Sequence, residues 1–399
     1  MMISAVMPCL DEARTLPACI LKAQQCFLRL GLIGEVVVAD NGSQDGSVEI
    51  ARRAGARVIE VAERGYGAAL RAGVEAAQGD FIIMADSDDS YDWSRLDNFI
   101  AKAREGFDLV IGNRFQGGIS PGAMPPLHRY LGNPVLSLVA RIAFRTPIGD
   151  FHCGMRGFTR EAWTRMQLQT TGMEFATEMI ACAARQGLRI AEVPTTLAVD
   201  GRDRRPHLRS FRDGWRHLRF ILSYAPDHLY LIPGTLLLAL GLLLQCLLAT
   251  GPFDLSGLHL GIHFLALGGM LTLVGFNLLY LGVIMKVVLC IQHPVLRTPF
   301  IRRIQISFTL EKGLVAGGLL TIGGLITDGT ILAHWLTHFG TAMEKSIHAA
   351  FVASQAVALG VNIMFSAFLL SLLLQDRKIL GGDRRTTPDA TPGVVLEAE

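Results

Sequence analysis

The 399-residue chain carries 37 Lys and Arg against 35 Asp and Glu, a net charge of +2, and is 50% hydrophobic but only 18% charged. A soluble domain averages roughly 25% charged residues, and a disordered chain combines low hydrophobicity with high net charge, so neither describes the whole molecule. The balanced charge also excludes a whole-chain nucleic-acid binder.

The charge is unevenly spread. Only ten of the 72 charged residues fall between positions 229 and 375. The chain therefore reads as a soluble N-terminal half joined, near residue 228, to an apolar C-terminal half.

Residues 1–10 lack the basic start and long apolar run of a signal peptide and read as a first β-strand. Short, nearly all-apolar strands are expected at 3–7, 35–39, 57–61, 81–85, 108–111 and 189–193, alternating with amphipathic helices near 13–30, 45–54, 66–77, 93–104 and 174–186. Gly55 and Gly79 follow helical patterns and read as residues that end helices. Strands of this kind belong to a mostly parallel sheet covered by helices on both faces, an α/β fold whose ligands bind at the carboxyl ends of the strands.

Polar residues gather at those ends. The first strand runs into Met7-Pro8-Cys9-Leu10-Asp11-Glu12, the second into Asp40-Asn41-Gly42-Ser43-Gln44-Asp45, and the fourth into Asp86-Ser87-Asp88. Asp, Asn, Ser and Gly make turns and caps at any one tip, but three acidic tips on neighbouring strands point to a site. The Asp86 and Asp88 carboxylates suit a hard divalent cation, Mg²⁺ or Mn²⁺, which would neutralise a diphosphate leaving group. A P-loop is not the basis, since no GxxxxGK[ST] sequence occurs. The seven cysteines lack CxxC spacing and fit reduced thiols better than disulfides or a zinc site.

Beyond a basic, aromatic stretch at 211–220, long uncharged runs predict four membrane-spanning helices near 230–250, 262–285, 314–336 and 350–374. Arg297, Arg302, Arg303 and Lys312 lie between the second and third, and Arg377, Lys378, Arg384 and Arg385 follow the fourth. By the positive-inside rule both the N-terminal domain and the C-terminal tail are cytoplasmic. Gly317-Gly318 and Gly323-Gly324 suit close helix packing, and Asp328 reads as either interfacial or functional.

Together the strand-tip segments, with Arg64-Gly65-Tyr66-Gly67, Gly112-Asn113-Arg114-Phe115 and Asp150-Phe151-His152-Cys153-Gly154-Met155-Arg156, resemble the GT-A glycosyltransferases of family 2. The nearest likeness is to dolichyl- and polyprenyl-phosphate sugar synthases, over about residues 2–224. The resemblance implies a GT-A domain at 1–205. The hydropathy and charge pattern adds a basic amphipathic juxtamembrane helix at 206–228, a four-helix membrane domain at 229–375 and a disordered tail at 376–399, with the first domain and the tail cytoplasmic. The resemblance also implies inverting transfer of a hexose, glucose or mannose, from a UDP- or GDP-sugar to a polyprenyl phosphate at the membrane. Self-association is compatible with this reading.

It further implies that Pro8, Leu10, Glu12 and Asp40 hold the nucleotide, with Arg64 and Gly65 joining the donor site. Asp86 and Asp88 would bind the metal, Arg114 and Arg129 the lipid phosphate, and Arg202 the diphosphate from a closing loop. Two departures stand out: Asn41 replaces an Asp of the usual pattern, and Asp89-Ser90-Tyr91-Asp92 follows Asp88 where many mannosyl synthases have Leu-Gln. Alternatives are a processive polysaccharide synthase, whose usual Gln-x-x-Arg-Trp segment does not occur, and a nucleotide-regulated lipid-sugar flippase subunit.

Overall fold

The computed structural model describes residues 1–201, 210–255, 258–294, 298–337 and 344–375. They pack as two units, Met1–Leu240 with Val274–Met285, and Gly241–Leu273 with Lys286–Glu399.

The first unit is built on β1 (Ile3–Cys9), β2 (Gly34–Asp40), β3 (Arg57–Glu60), β4 (Phe81–Met84), β5 (Leu109–Asn113), β6 (Arg156–Thr159) and β7 (Ile190–Pro194). They form one sheet in the order β3-β2-β1-β4-β6-β5-β7, in which only β6 runs antiparallel to its neighbours. The helices around it are α1 (Leu16–Arg29), α2 (Ser47–Arg53), α3 (Tyr66–Ala76), α4 (Asp97–Arg104), the single turn α5 (Arg114–Gly117), α6 (Asn133–Phe144), α7 (Arg160–Met166), α8 (Phe175–Arg185) and α9 (Ser210–Tyr224). Every residue of β1, β4 and β5 is buried, as continuous apolar strands require when both faces are covered. This is the mostly parallel, helix-covered α/β sheet expected of a GT-A-like domain.

All six expected strands are present. The seventh, β6, reads Arg-Gly-Phe-Thr and lacks an apolar signature. It is buried because the Arg156 guanidinium donates to three carbonyls, those of Cys153, Phe151 and Ala176, and because Gly157 leaves room for the Phe81 ring. Gly79 differs from its expected role. Helix α3 ends at Ala76, and Gly79 instead lets the chain pass against the backbone of Ser4, where a Cβ would lie 2.6 Å from the Ser4 nitrogen.

Among the described residues, four helical segments are long and apolar enough to cross a membrane: Asp227–Leu248, Ile262–Gln292, Leu310–Thr337 and Ser346–Leu374. The first comprises a π-helical turn, Asp227–Leu231, and α10 (Ile232–Leu248). A small antiparallel pair, β8 (Phe253–Leu255) and β9 (Leu258–Leu260), precedes α11 (Ile262–Gln292). The basic loop expected after α11 contains α12 (Pro299–Ser307), which carries Arg302 and Arg303. Helices α13 (Leu310–Thr337) and α14 (Glu344–Gln375) then pack along their length. Gly317 and Gly324 face α14 with backbone-to-backbone closeness, whereas Gly318 and Gly323 have nothing described within 4 Å. Close packing thus uses one glycine of each pair. Ser354 donates to Asp328 across this hairpin at 3.1 Å.

Candidate active site

The carboxyl ends of β1, β2 and β4 lie side by side because these strands are parallel neighbours. Short polar side chains bind the tips together. The Asp11 amide donates to Ser43 Oγ (2.9 Å), Gln44 returns a bond to Asp11 (2.7 Å), and the Glu12 and Ala13 amides donate to Ser47 Oγ and Asp45. Burial works against the Asp45 charge, but bonds from Ser47 and Ala13 outweigh it and hold the carboxyl below its ordinary range. On the other side Ser87 Oγ donates to the Pro8 carbonyl (2.7 Å) and Thr15 Oγ1 to the Ser87 carbonyl (2.8 Å).

Asp40 is buried at the end of β2. Its Oδ2 accepts from the Gly42 and Ser43 amides, while its Oδ1 is buried with no hydrogen-bond partner among the described residues. A buried acceptor left open is costly in a native protein unless a ligand supplies a donor. Glu12 is buried beside it in the same cluster, and Leu10 is exposed at the rim.

Asn41 explains its own departure from the expected aspartate. Its amide nitrogen donates to the carbonyls of Val61 and Glu63, and its oxygen accepts from the Gly65 amide (3.1, 2.8 and 2.7 Å). Only a carboxamide makes all three bonds. They fix the loop that carries Arg64, which is exposed, and Gly65, whose φ of +139° and contact with Thr171 exclude any side chain.

Asp86 and Asp88 follow β4. The Asp88 Oδ1 accepts from the Ser90 amide and hydroxyl, and its carbonyl from the Gly201 amide. Asp86 is half-buried and takes a side-chain hydrogen bond from Tyr66 at the start of α3. Burial beside Asp86 pushes the Tyr66 hydroxyl well above its ordinary range, so it remains a donor. Tyr91, also held protonated by burial, accepts from the Gly154 amide at 2.8 Å. Among the described residues no three His, Cys, Asp or Glu side chains gather as a complete metal cage. Two carboxylates with oxygen donors fit Mg²⁺ or Mn²⁺ when substrate phosphates and waters fill the remaining positions.

Arg114 lies buried across the sheet at the end of β5, where it forks onto Asp150: Nε to Oδ2 at 2.7 Å and Nη2 to Oδ1 at 2.8 Å. The Arg114 amide also donates to Asp150. Arg129 is half-buried in the π-helical turn His128–Gly132 before α6, over the Tyr130 ring. Arg202 lies outside the described residues. Leu131 of the His128–Gly132 turn and Val135, Leu138 and Ile142 of α6 are exposed, while Ser137, Ala140 and Phe144 are buried.

The geometry therefore joins Pro8, Glu12, Asp40, Asp86 and Asp88 around one set of tips and sets Arg114 on Asp150. Residues 4–165 match glycosyl transferase family 2, and residues 283–374 match the glycosyltransferase family 2 C-terminal transmembrane region. The low-salt glycan biosynthesis hexosyltransferase Agl6 of Haloferax volcanii is 38% identical over 374 residues, 93% of this chain and 89% of that protein. The chain belongs to glycosyl transferase family 2.

A dolichyl-phosphate hexose transferase of the same organism is 37% identical over 165 residues, covering 40% of this chain and 68% of that one. The glucosyl-3-phosphoglycerate synthase of Mycobacterium tuberculosis, solved with Mn²⁺, UDP and glucosyl-3-phosphoglycerate, aligns at TM-score 0.42 with 22% identity, over 56% of this chain and 78% of that one. With its family 2 domain and four apolar spans, the protein is a membrane glycosyltransferase.

Sequence reasoning assigned no role to Tyr66, Tyr91, Asp150 or Arg156. Each lay within or beside a matching family 2 segment, so a signal was present. Only the fold reveals that Tyr66 meets Asp86 and that Asp150 takes the Arg114 fork.

Proposed function

We propose that this enzyme transfers a hexose, with inversion, from a UDP- or GDP-hexose to a polyprenyl phosphate at the cytoplasmic face of the membrane. The observation that carries this reading is the joining of the Asp40 tip, with its open buried oxygen, to the Asp86–Asp88 tip on neighbouring parallel strands. Asp40, Glu12, Pro8 and Leu10 receive the nucleoside, the open Asp40 Oδ1 accepting from a base N–H or ribose hydroxyl. Arg64 and Gly65, on the loop clamped by Asn41, border the donor diphosphate. Asp86 and Asp88 hold Mg²⁺ or Mn²⁺, which when bound neutralises the departing diphosphate.

A phosphate acceptor is an anion near neutral pH, so the chain needs to position it rather than deprotonate it. Arg114, braced by Asp150, and Arg129 supply that charge, and Arg202 acts from the loop after residue 201. The exposed apolar face of α6 and the basic helix α9 keep this arginine side against the bilayer, where a polyprenyl phosphate presents its head. The similarity to a dolichyl-phosphate hexose transferase supports this acceptor class. The bounds 1–205, 206–228 and 229–375 for the catalytic, juxtamembrane and membrane parts, with the catalytic part and tail both cytoplasmic, belong to the same proposal.

Membranes containing the protein should convert a labelled nucleotide sugar and polyprenyl phosphate into a mild-acid-labile single-sugar lipid. Chelation should abolish conversion, and Mg²⁺ or Mn²⁺ should restore it. Asp88→Ala should lower the rate at least about a hundredfold, the scale of losing electrostatic stabilisation at a reacting centre. Undiminished conversion by that variant would overturn the metal assignment, and release of a long polymer would overturn the single-transfer reading.

A further inference from the structure

His152 follows Asp150 in the loop before β6, and its amide donates to Asp150 Oδ1 at 3.3 Å. Its ring meets His217 of α9 edge to face, with centroids 4.8 Å apart. His217 Nδ1 in turn lies 3.3 Å from Thr177 Oγ1 on α8. The Nε2 of His152 is buried and has no hydrogen-bond partner among the described residues. Two imidazoles therefore connect the loop that holds the Arg114 fork to the helix that precedes the first membrane span.

The surroundings make this contact sensitive to charge. The groups acting on His152 are His217 from α9, Arg114 from the end of β5, Arg156 from β6 and His128 from the turn before α6. The one carboxylate of its own loop, Asp150, is already engaged by Arg114. Burial pushes the His152 imidazole well below its ordinary range, and these four neighbours push it the same way. A proton on His152 would add a cation among arginines and against a second histidine.

We infer that His152 and His217 form a positioning contact between the acceptor-side arginine and the juxtamembrane helix, intact while the His152 ring is neutral and loosened by acid. The sign follows from linkage. A histidine whose folded-state pKa is depressed binds fewer protons folded than released. Its contribution is therefore complete above about pH 6.5, the ordinary value, and declines as pH falls below it. Each unit between the ordinary and the depressed value weakens the contact about tenfold. His152 acts through Asp150 and α9 and needs no contact with substrate. The kinetic consequence rests on the function proposed above; the contact itself does not.

The experiment is hydrogen exchange across α9 in the full chain, reconstituted in lipid nanodiscs, at pH 7.5 and 5.5, with rates corrected for the intrinsic pH dependence of exchange. Wild-type protein should lose α9 protection by about tenfold at the lower pH. His152→Phe keeps a ring in place without a titratable nitrogen and should show the same protection at both values. His217→Phe reads the same pair from the other side should His152→Phe not fold. Unchanged wild-type protection, or an acid-induced loss that persists in the phenylalanine variant, would overturn the inference.

In parallel, the apparent KM for polyprenyl phosphate should rise at pH 5.5 in wild type but not in His152→Phe, with kcat moving little. An acid-sensitive α9 without any transfer to polyprenyl phosphate would uphold the contact and sink the proposed function instead.

Discussion

The two oxygens of Asp150 receive Nη2 and Nε of Arg114 at 2.8 and 2.7 Å, an ion pair buried at the end of β5. Asp150 is itself held by the amide of His152, while Glu192 fixes the Gly149 and Asp150 amides. The arginine is thus fixed in position before any ligand arrives. Such preorganisation lowers the ordering cost of gripping a phosphate. Burial disfavours the Arg114 charge, but the bidentate Asp150 carboxylate offsets it and keeps the group cationic.

Asp150→Ala would leave that cation buried and uncompensated. Removing one member of a buried pair costs about 3–5 kcal/mol, so the protein should melt markedly earlier in a thermal unfolding scan. Arg114→Lys keeps the charge but cannot match both oxygens. It should lose acceptor affinity in a KM measurement with a smaller fall in melting temperature. An Asp150→Ala protein with wild-type melting would show that the pair contributes nothing to stability.

Asn41→Asp tests the loop clamp. A carboxylate cannot donate to the Val61 and Glu63 carbonyls, and it would stand beside the Asp40 carboxylate. The Val61 carbonyl is half-buried and that of Glu63 exposed, so leaving them without donors costs less than the roughly 1–3 kcal/mol of fully buried groups. The expected outcome is a raised KM for the nucleotide sugar, read by initial rates, with the KM for polyprenyl phosphate unmoved. Equal effects on both substrates would argue against a clamp specific to the donor side.

How much of this was legible follows from what each residue signals locally. Strands β1, β2 and β4 announce themselves as short apolar runs, and their Asp-rich ends mark a site because parallel neighbours bring equivalent ends together. Strand β6 is silent, since Arg156 becomes a core residue only when the loop before it folds back to offer the Phe151 and Cys153 carbonyls and α8 brings that of Ala176. Helix α4 starts at Asp97, four residues after the expected position, because Asp92 forms a turn with Ser94 and Trp93 reaches back to the Asp86 carbonyl. The Asn41 clamp and the Arg114–Asp150 fork join residues twenty or more positions apart. No periodicity encodes such partners. Membrane spans were the most legible part, because burial in lipid leaves its mark on about twenty consecutive residues.

Acid should also weaken the rear of the sheet. Glu35 joins three elements, accepting from Ser4 of β1, Arg57 of β3 and the Gln78 amide. Burial opposes its charge, but the Arg57, Ser4 and Gln78 bonds outweigh that and hold its carboxyl below the ordinary range. A depressed carboxylate contributes stability that is complete above its unfolded value, about 4.3, and declines as pH falls through its folded value. Denaturant unfolding of wild type and Glu35→Gln should therefore differ at pH 7 and converge towards pH 3. A difference that stays constant with pH would mean that packing, not charge, is what Glu35 supplies.

The glycine pairs of α13 give a test with a built-in control. A Cβ on Gly317 would lie 2.6 Å from the Gly360 carbonyl oxygen of α14, and one on Gly324 would lie 2.6 Å from the Ala353 oxygen. Backbone cannot yield as a flexible side chain does, so Gly317→Ala or Gly324→Ala must push the helices apart. In lipid, where helix association depends on close packing rather than water exclusion, the loss is direct. Overpacking of this kind costs about 1–3 kcal/mol, and thermal unfolding in detergent should register it. Gly318→Ala and Gly323→Ala meet nothing described within 4 Å and should leave the hairpin unchanged or slightly steadier, because Ala is the better helix former. If all four substitutions behave alike, the α13–α14 contact does not depend on the face that Gly317 and Gly324 share.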